Sequence, residues 1–510
     1  MMFARFIVVL VLSLGCIRNA DAGLLPNIPF NMSEIKAPSF PKRSFDIRKY
    51  SAVGDGKTLN TKAFADAVAA CSKAGGGRVL VPAGTWLTGP IHLKSNINLY
   101  LEKGAQLVFS ANFNDYLPPV FTRWQGMECY NYSPMIYARD CTNIAITGEG
   151  TIGGQGEAWW RYGKQKRAAA GKLYAAICAG VPVKDRVLGT EEYLSLRPSL
   201  IQPINCKNVL IEGVTVKNGP MWTVHPVYCE NVLVRNITVN TEGPNTDGFV
   251  PDSCKNVIIE DSVFSTGDDC IVIKSGLDED AWRVNRPSEN IVIRRCRTQR
   301  GHGGVVVGSE MSGGVRNVFI SDCRFDGTQR GIRMKSRQGR GGVVENIWVK
   351  NVTMGEIMHD AITVSMLYGA GAVPPRTSVP PTFRGIHISN VKCEKAGRAV
   401  EFVGLPDKPI ENITLEGICV GADVGVYCTD VRDVKLTNLQ VSAKQGPVVQ
   451  LVNSRDVTIS GSNCPEGTDV FLKVQGGKTS GIHLAGNDLS KAKTDVVAGE
   501  DVPAGAVDKR

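Results

Sequence analysis

The chain has 510 residues and a mass of 55.0 kDa, enough for two or three ordinary domains or for one elongated repeat with a continuous core. Hydrophobic residues at 43% and charged residues at 21% exclude a disordered chain, and 55 glycines lean toward a turn-rich all-β protein. The formal charge of +9 is modest for this length and is not gathered into one run.

Residues 1–22 carry Arg5, an apolar run from Phe6 to Leu14, and Ala20-Asp21-Ala22, which predict a secretory signal cut after Ala22. The run is too short to span a bilayer, and no later stretch is long and apolar enough to do so, so the chain is expected to be secreted or periplasmic with no membrane span. Cys16 after Leu14-Gly15 raises lipoprotein processing as a weaker alternative, because Ser13 and Leu14 fit the usual preceding pattern poorly. Residues 23–43 read as a proline-bearing tail.

Asn60-Thr61 offers an N-cap, residues 62–73 place Phe64, Ala67, Val68 and Cys71 on one helical face, and Gly75-Gly76-Gly77 ends the run. From Asn143 onward one pattern recurs: Asn, Asp or Gly followed by alternating β-branched residues. It appears at Asn143-Ile144, Asn208-Val209, Asn231-Val232, Asn256-Val257, Asn290-Ile291, Asn317-Val318 and Asn346-Ile347, and continues to Gly481-Ile482. Steps of mostly 21 to 29 residues with strand-period alternation predict an all-β parallel β-helix, or solenoid. The helix would cap its open N-terminal end. One catalytic domain over 44–490 and a polar tail over 491–510 complete the expected organisation.

Within the repeat, Arg161 to Arg167 interleaves Lys164 and Lys166 beside Trp159 and Trp160, which suits an acidic polysaccharide, a nucleic acid or a solvated loop equally well. Of the 15 cysteines, 14 lie beyond the expected cut; those at repeat positions, such as Cys206, Cys254, Cys296 and Cys323, read as free stacked thiols. Asn131, Asn236, Asn351 and Asn412 sit in glycosylation sequons, which have meaning only on a eukaryotic secretory route.

Four polar patches stand out in order: Asn245-Thr246-Asp247-Gly248, Gly267-Asp268-Asp269, Gly301-His302-Gly303 and Arg333-Met334-Lys335. Asp247 and Asp269 are 22 residues apart, and His302 and Arg333 follow after 33 and 31, so on a solenoid they stack on neighbouring rungs about 4.8 Å apart. Carboxylates one or two rungs apart suit the roughly 6.5–9.5 Å that seats a water between the acid and base of an inverting glycosidase, and do not exclude the roughly 5–5.5 Å of a retaining one. Crowding three of them should raise at least one pKa and leave an acid beside an ionised base. Singly, an Asp-Gly is usually a turn, Gly-His-Gly a loop, and Asp268-Asp269 a solvated pair or part of a calcium site.

In this order and spacing the patches resemble glycoside hydrolase family 28, the polygalacturonases. The likeness extends over the segment from Asp46 to Trp86, the helix and the repeat. The resemblance implies a right-handed parallel β-helix and hydrolysis of galacturonan with inversion, with no cofactor and no metal. It implies that Asp268 is the general acid, that Asp247 and Asp269 activate water, and that His302 supports the acid's protonation. Arg333 and Lys335 would hold a galacturonate carboxylate, and Tyr368 and Asn245 would contact substrate. Met334 stands where isoleucine is commoner, and should point into the core. The partner so implied is an acidic polysaccharide or oligogalacturonide rather than a nucleic acid.

The run from Gly303 to Met311 and the long loops at 155–200 and 276–288 look like the exo-acting bacterial-type members, whose substrate cleft has room for one unit on one side. Endo action, and rhamnogalacturonan or xylogalacturonan as substrate, remain alternatives. A calcium-dependent β-helical lyase and a non-catalytic polysaccharide-binding solenoid are the rivals from other classes.

Overall fold

A computed structural model describes residues 25, 27–161, 163–189, 196–369 and 377–509; the predicted signal segment lies outside them. Thirty of the described strands form one sheet in which each coil pairs in parallel with the next, a right-handed parallel β-helix. Thr142–Gly148 pairs with Lys207–Glu212, which pairs with Glu230–Arg235, then Lys255–Glu260, Ser288–Arg294 and Val315–Ser321. Inward residues Val209, Val232, Val257, Ile291 and Val318 stack along that ladder at 3% exposure or less, each burial stabilising by ~1.5–3 kcal/mol.

The recurring asparagine has a physical cause. Asn143, Asn208, Asn231, Asn256, Asn290, Asn317 and Asn346 all sit at φ between 53° and 58°, a left-handed corner that asparagine tolerates better than most residues. Their amides form a ladder that starts at Asn96, with Nδ2 of each donating to Oδ1 of the one before at 2.9–3.3 Å. The ladder stops after Asn346 because the next corner is Gly385, at φ 64°, which has no side chain to continue it.

The cap helix spans Thr61–Lys73 and buries Phe64, Ala67, Val68 and Cys71, as expected. Asn60 does not cap it with its side chain. Its Oδ1 accepts from Val53 N at 2.7 Å and its Nδ2 donates to Leu87 O at 3.0 Å, so it ties the helix start to the first coil instead. Both expected tails belong to the folded body. In the N-terminal one, Leu25, Met32 and Ile35 cover outward aliphatics of the sheet, Ala145, Leu210, Leu233, Ile258 and Val292, which would otherwise face water. At the other end Ala492–Ala498 pairs with Thr468–Gln475 and Val507–Lys509 with Ser480–Ala485. Polar residues at the outward positions of those last strands hid them in the sequence. The 14 described cysteines are free thiols, 12 of them buried. Among the described residues no helix is long and apolar enough to cross a membrane.

Candidate active site

Four successive coils build the site. Phe249, Ile271, Val305 and Ile332 stack inward in register, and the functional groups stand around them: Asp268 and His302 three residues before, Asp247 and Asp269 two before, Arg333 one after and Lys335 three after. Asp247 and Asp269 occupy the position two before on the first two coils. Gly303 occupies it on the third, where an added Cβ would clash with Val306 and approach Asp269 Oδ1 to 3.1 Å. On the fourth coil Arg333 and Lys335 flank Met334, which is 1% exposed and points into the core as expected. The glycine coil leaves a gap across which Lys335 Nζ reaches Asp269 Oδ2 at 2.7 Å, while Arg333 Nη1 lies 3.8 Å from Asp269 Oδ1.

The sequence-predicted residues therefore converge. Oxygens of Asp247, Asp268 and Asp269 lie within 4.8 Å of one another. His302 Nδ1 is 3.0 Å from Asp268 Oδ1, the Asp269 backbone N–H donates to that same oxygen at 2.9 Å, and Asn245 Nδ2 donates to Asp268 Oδ2 at 3.4 Å. Tyr368 is 39% exposed, and its ring centroid lies 5.2 Å from Lys335 Nζ and 5.6 Å from the Arg333 guanidinium carbon. The oxygens approach more closely than the 6.5–9.5 Å expected of an inverting pair, although nearest oxygens are closer than carboxyl centres. The trio is compact enough to hold a cation, but Lys335 already supplies positive charge to it at hydrogen-bond distance.

Protonation in the free site is uneven. Burial, and then the Asp268 charge, push Asp247 well above the usual carboxylate range. Burial also favours the neutral form of Asp268, but the hydrogen bond from His302 and the charge of Lys335 outweigh it and hold Asp268 at about 2. The same hydrogen bond raises His302. The expected acid therefore favours its ionised form and Asp247 its neutral form, within a cluster that titrates as a unit.

Sequence reasoning missed two buried cations. Lys274, 3% exposed, donates from Nζ to Glu310 Oε2 at 2.5 Å and lies 4.9 Å from the Trp222 ring centroid. The Glu310 and Asp247 charges raise it against the effect of burial, and Lys274 in turn helps hold Glu310 at about 2. A lysine ending the apolar run Ile271-Val272-Ile273 was the available signal. Arg197, 5% exposed, donates from Nη2 to Asn245 Oδ1 at 3.0 Å. His225 and Trp222 are buried, and His225 lies 3.4 Å from Asp252, which pairs with the fully buried Arg123 at 3.1 Å.

One flank of the site is walled. An antiparallel hairpin, Val120–Trp124 with Met127–Asn131, and the helix Gly163–Cys178 put Trp124, Met127, Leu173 and Ile177 into an apolar cluster with Trp222 and the outward-facing Val250, Val272 and Val306. The helix Asp278–Val284 closes behind it, with Asp280 accepting from Arg186 at 2.7 Å and Tyr174 Oη donating to Asp278 at 3.1 Å. The loops at 155–200 and 276–288 thus contribute to one structure. The basic stretch 161–167 runs into the wall helix, and the side chains of Lys164 and Lys166 lie outside the described residues. Beside it, Trp159 is a structural residue stacked on Phe113 with ring centroids 4.0 Å apart.

The model of glycosyl hydrolases family 28 matches residues 188–438. The chain is 35% identical over 420 residues to a protein of Vitis vinifera named "Probable polygalacturonase", covering 79% of this chain and 80% of that one. It is 29% identical over 436 residues to an exo-poly-alpha-D-galacturonosidase of Dickeya chrysanthemi, covering 78% and 70%. The structure is similar to the crystal structure of a hyperthermoactive exopolygalacturonase from Thermotoga maritima, with a TM-score of 0.72 and 37% identity over 83% of this chain and 93% of that one.

Proposed function

The chain belongs to glycosyl hydrolases family 28, and from that premise we propose that it hydrolyses α-1,4-galacturonosidic bonds of polygalacturonan, releasing single galacturonate units from the chain end with inversion. The observation that carries this reading is the cluster of three carboxylates within 4.8 Å, faced by Arg333 and Lys335 on the coil beyond the glycine gap. Carboxylates supply the acid and the base, and the two cations supply a seat for an anionic sugar.

In the step so assigned, Asp247 and Asp269 take a proton from a water as its oxygen attacks the anomeric carbon. The bond to the leaving oxygen breaks, and that oxygen takes the proton of Asp268. Asp268 must then be protonated at the moment of attack, although it favours its ionised form in the free site. Substrate binding acts in that direction. A galacturonate carboxylate on Arg333 and Lys335 offsets the Lys335 charge, which after the His302 hydrogen bond is the next influence holding Asp268 low and also lowers Asp247, and so favours a proton on the Asp247–Asp268 pair. His302, whose Nδ1 lies 3.0 Å from Asp268 Oδ1, is the nearest further proton store.

Exo action is supported by the wall, which fully buries the outward valines of the three coils before Arg333, whereas Glu401, Tyr427 and Gln450 at the same position further along are only half-buried. The predicted signal would deliver the protein to its polysaccharide outside the cytoplasm. Proton NMR of an early digest tests the chemistry: a β-anomer appearing first supports inversion, and an α-anomer appearing first supports the double displacement that the short oxygen separation would permit. An ultraviolet-absorbing unsaturated product that needs calcium would instead mark a lyase.

A further inference from the structure

Arg197 lies in the segment that follows the wall helix, outside the coils, yet its side chain ends at the neighbour of the acid. Nη1 donates to the carbonyls of Pro220 and Pro244, both at 2.7 Å, and Nη2 donates to Asn245 Oδ1 at 3.0 Å. The backbone just before it is clamped by the hairpin: Asn131 Nδ2 donates to Leu196 O at 2.7 Å, and Leu196 N donates to Asn131 Oδ1 at 3.1 Å. Asn245 sits at φ 56° and turns its Nδ2 toward Asp268 Oδ2 at 3.4 Å.

The consequence for the acid follows from counting donors. Asp268 Oδ1 already accepts from Asp269 N and faces His302 Nδ1 at 3.0 Å, so Oδ2, which meets only the Asn245 amide, is the oxygen better placed to carry a proton to the substrate. An amide free to turn over would present its oxygen to that proton, accept it in a hydrogen bond and stabilise the neutral acid. With Asn245 Oδ1 held by a guanidinium, only the amide nitrogen can face Oδ2.

We propose that Arg197 is a positioning residue that locks the Asn245 amide with its nitrogen toward Asp268 Oδ2, so that the amide oxygen cannot accept the proton that Asp268 delivers to the leaving oxygen. This rests on the reading of Asp268 as the general acid. It also makes the hairpin and the acid one mechanical unit, running from Asn131 through Leu196, Arg197 and Asn245 to Asp268. The charged groups facing Asp268 are His302, Lys335, Lys274, Asp247, Asp269 and Arg197. Burial lowers Arg197 to about 10, which still leaves it cationic over the working range of a carboxylate pair.

R197M removes both the lock and a positive charge, and each change favours protonated Asp268. The test is kcat and KM against pH on polygalacturonate for the full chain, wild type, R197M and R197K, with folding followed by circular dichroism. Expected for R197M are a kcat lower by about tenfold or more, a KM within about threefold, and an alkaline limb of kcat moved up by about half a pH unit or more. R197K keeps the charge but offers one nitrogen for three acceptors. It should lose kcat with a smaller shift of the limb, and it decides alone if R197M does not fold. A folded variant with wild-type kcat and limb overturns the inference, as does a kcat loss that follows melting temperature at an unmoved limb. If the wild type releases nothing from polygalacturonate, the proposed hydrolysis of polygalacturonan fails instead. If the wild type is active, D268N is inactive and the Arg197 variants behave as wild type, only the role of Arg197 falls.

Discussion

Coils 247–335 and coils 362–472 share one unbroken inward column. It runs from Phe249 through Ile271, Val305, Ile332, Ile362, Val400, Val426 and Val449 to Leu472, each 1% exposed or less. One residue further on the chain faces outward, and there the two stretches part. Val250, Val272 and Val306 are fully buried under the wall, and Arg333 opens the cleft beside it. The same positions continue onward as the buried Thr363 and the half-buried Glu401, Tyr427 and Gln450, with Thr363 Oγ1 donating to Glu401 at 3.1 Å and Arg398 over the Tyr427 ring. A stacked core leaves its outward residues free to vary, so chemistry could be placed on a few coils without disturbing the stack. The chemical stretch also carries electrostatic tension in the fully buried Asp247, whose charged form burial and the Asp268 charge disfavour.

The comparison breaks most sharply at the acid. D268N should lower kcat/KM by about 10³-fold or more with the melting temperature little changed, because the coil column is untouched. Loss of the fold along with activity would show that the site also holds the core together. K335M should cost about 10- to 100-fold, chiefly in KM, by removing the cation that faces both Asp269 and the substrate carboxylate. An unchanged KM would move carboxylate recognition elsewhere. I362A, in the inward column of the plain stretch, should cost ~2–5 kcal/mol of stability and leave kcat of the folded fraction intact.

D247N tests the tension directly. The folded pKa of Asp247 is raised, so its favourable contribution is full below the unfolded value near ~3.9 and is lost as pH rises toward the folded value. The inactive D247N should therefore match wild type in melting temperature near pH 3 and exceed it by about 2–4 °C at pH 7. A lower melting temperature at pH 7 would mean that Asp247 is held ionised. Smallest of all, Q450A on the polar outward face should change stability by less than ~0.5 kcal/mol and activity not at all.

Much of this was legible in the chain, for identifiable reasons. The corner asparagines announce themselves because one left-handed turn recurs on every coil and few residues accept it. Asp247, Asp268, Asp269, His302, Arg333 and Lys335 were legible because a repeat of one coil per patch, with loops absorbing the differences in length, turns spacing in sequence into adjacency in space. Arg197 and Lys274 were not. Arg197 enters from an insertion whose path no period dictates, and the partner of Lys274, Glu310, lies 36 residues on, after a bend in the chain. The last strands, Ala492–Ala498 and Val507–Lys509, were read as tail because end coils bury less and so show a weaker alternation.

On the proposed reading, the carboxylate cluster cuts polygalacturonan from an end that enters a half-walled cleft. Chromatography of the first few per cent of a polygalacturonate digest, wild type beside D268N, tests it most directly. Monomeric galacturonate from the wild type and no product from D268N is the predicted result. A ladder of mid-length oligomers from the wild type would contradict exo action, and undiminished product from D268N would contradict the assignment of the acid.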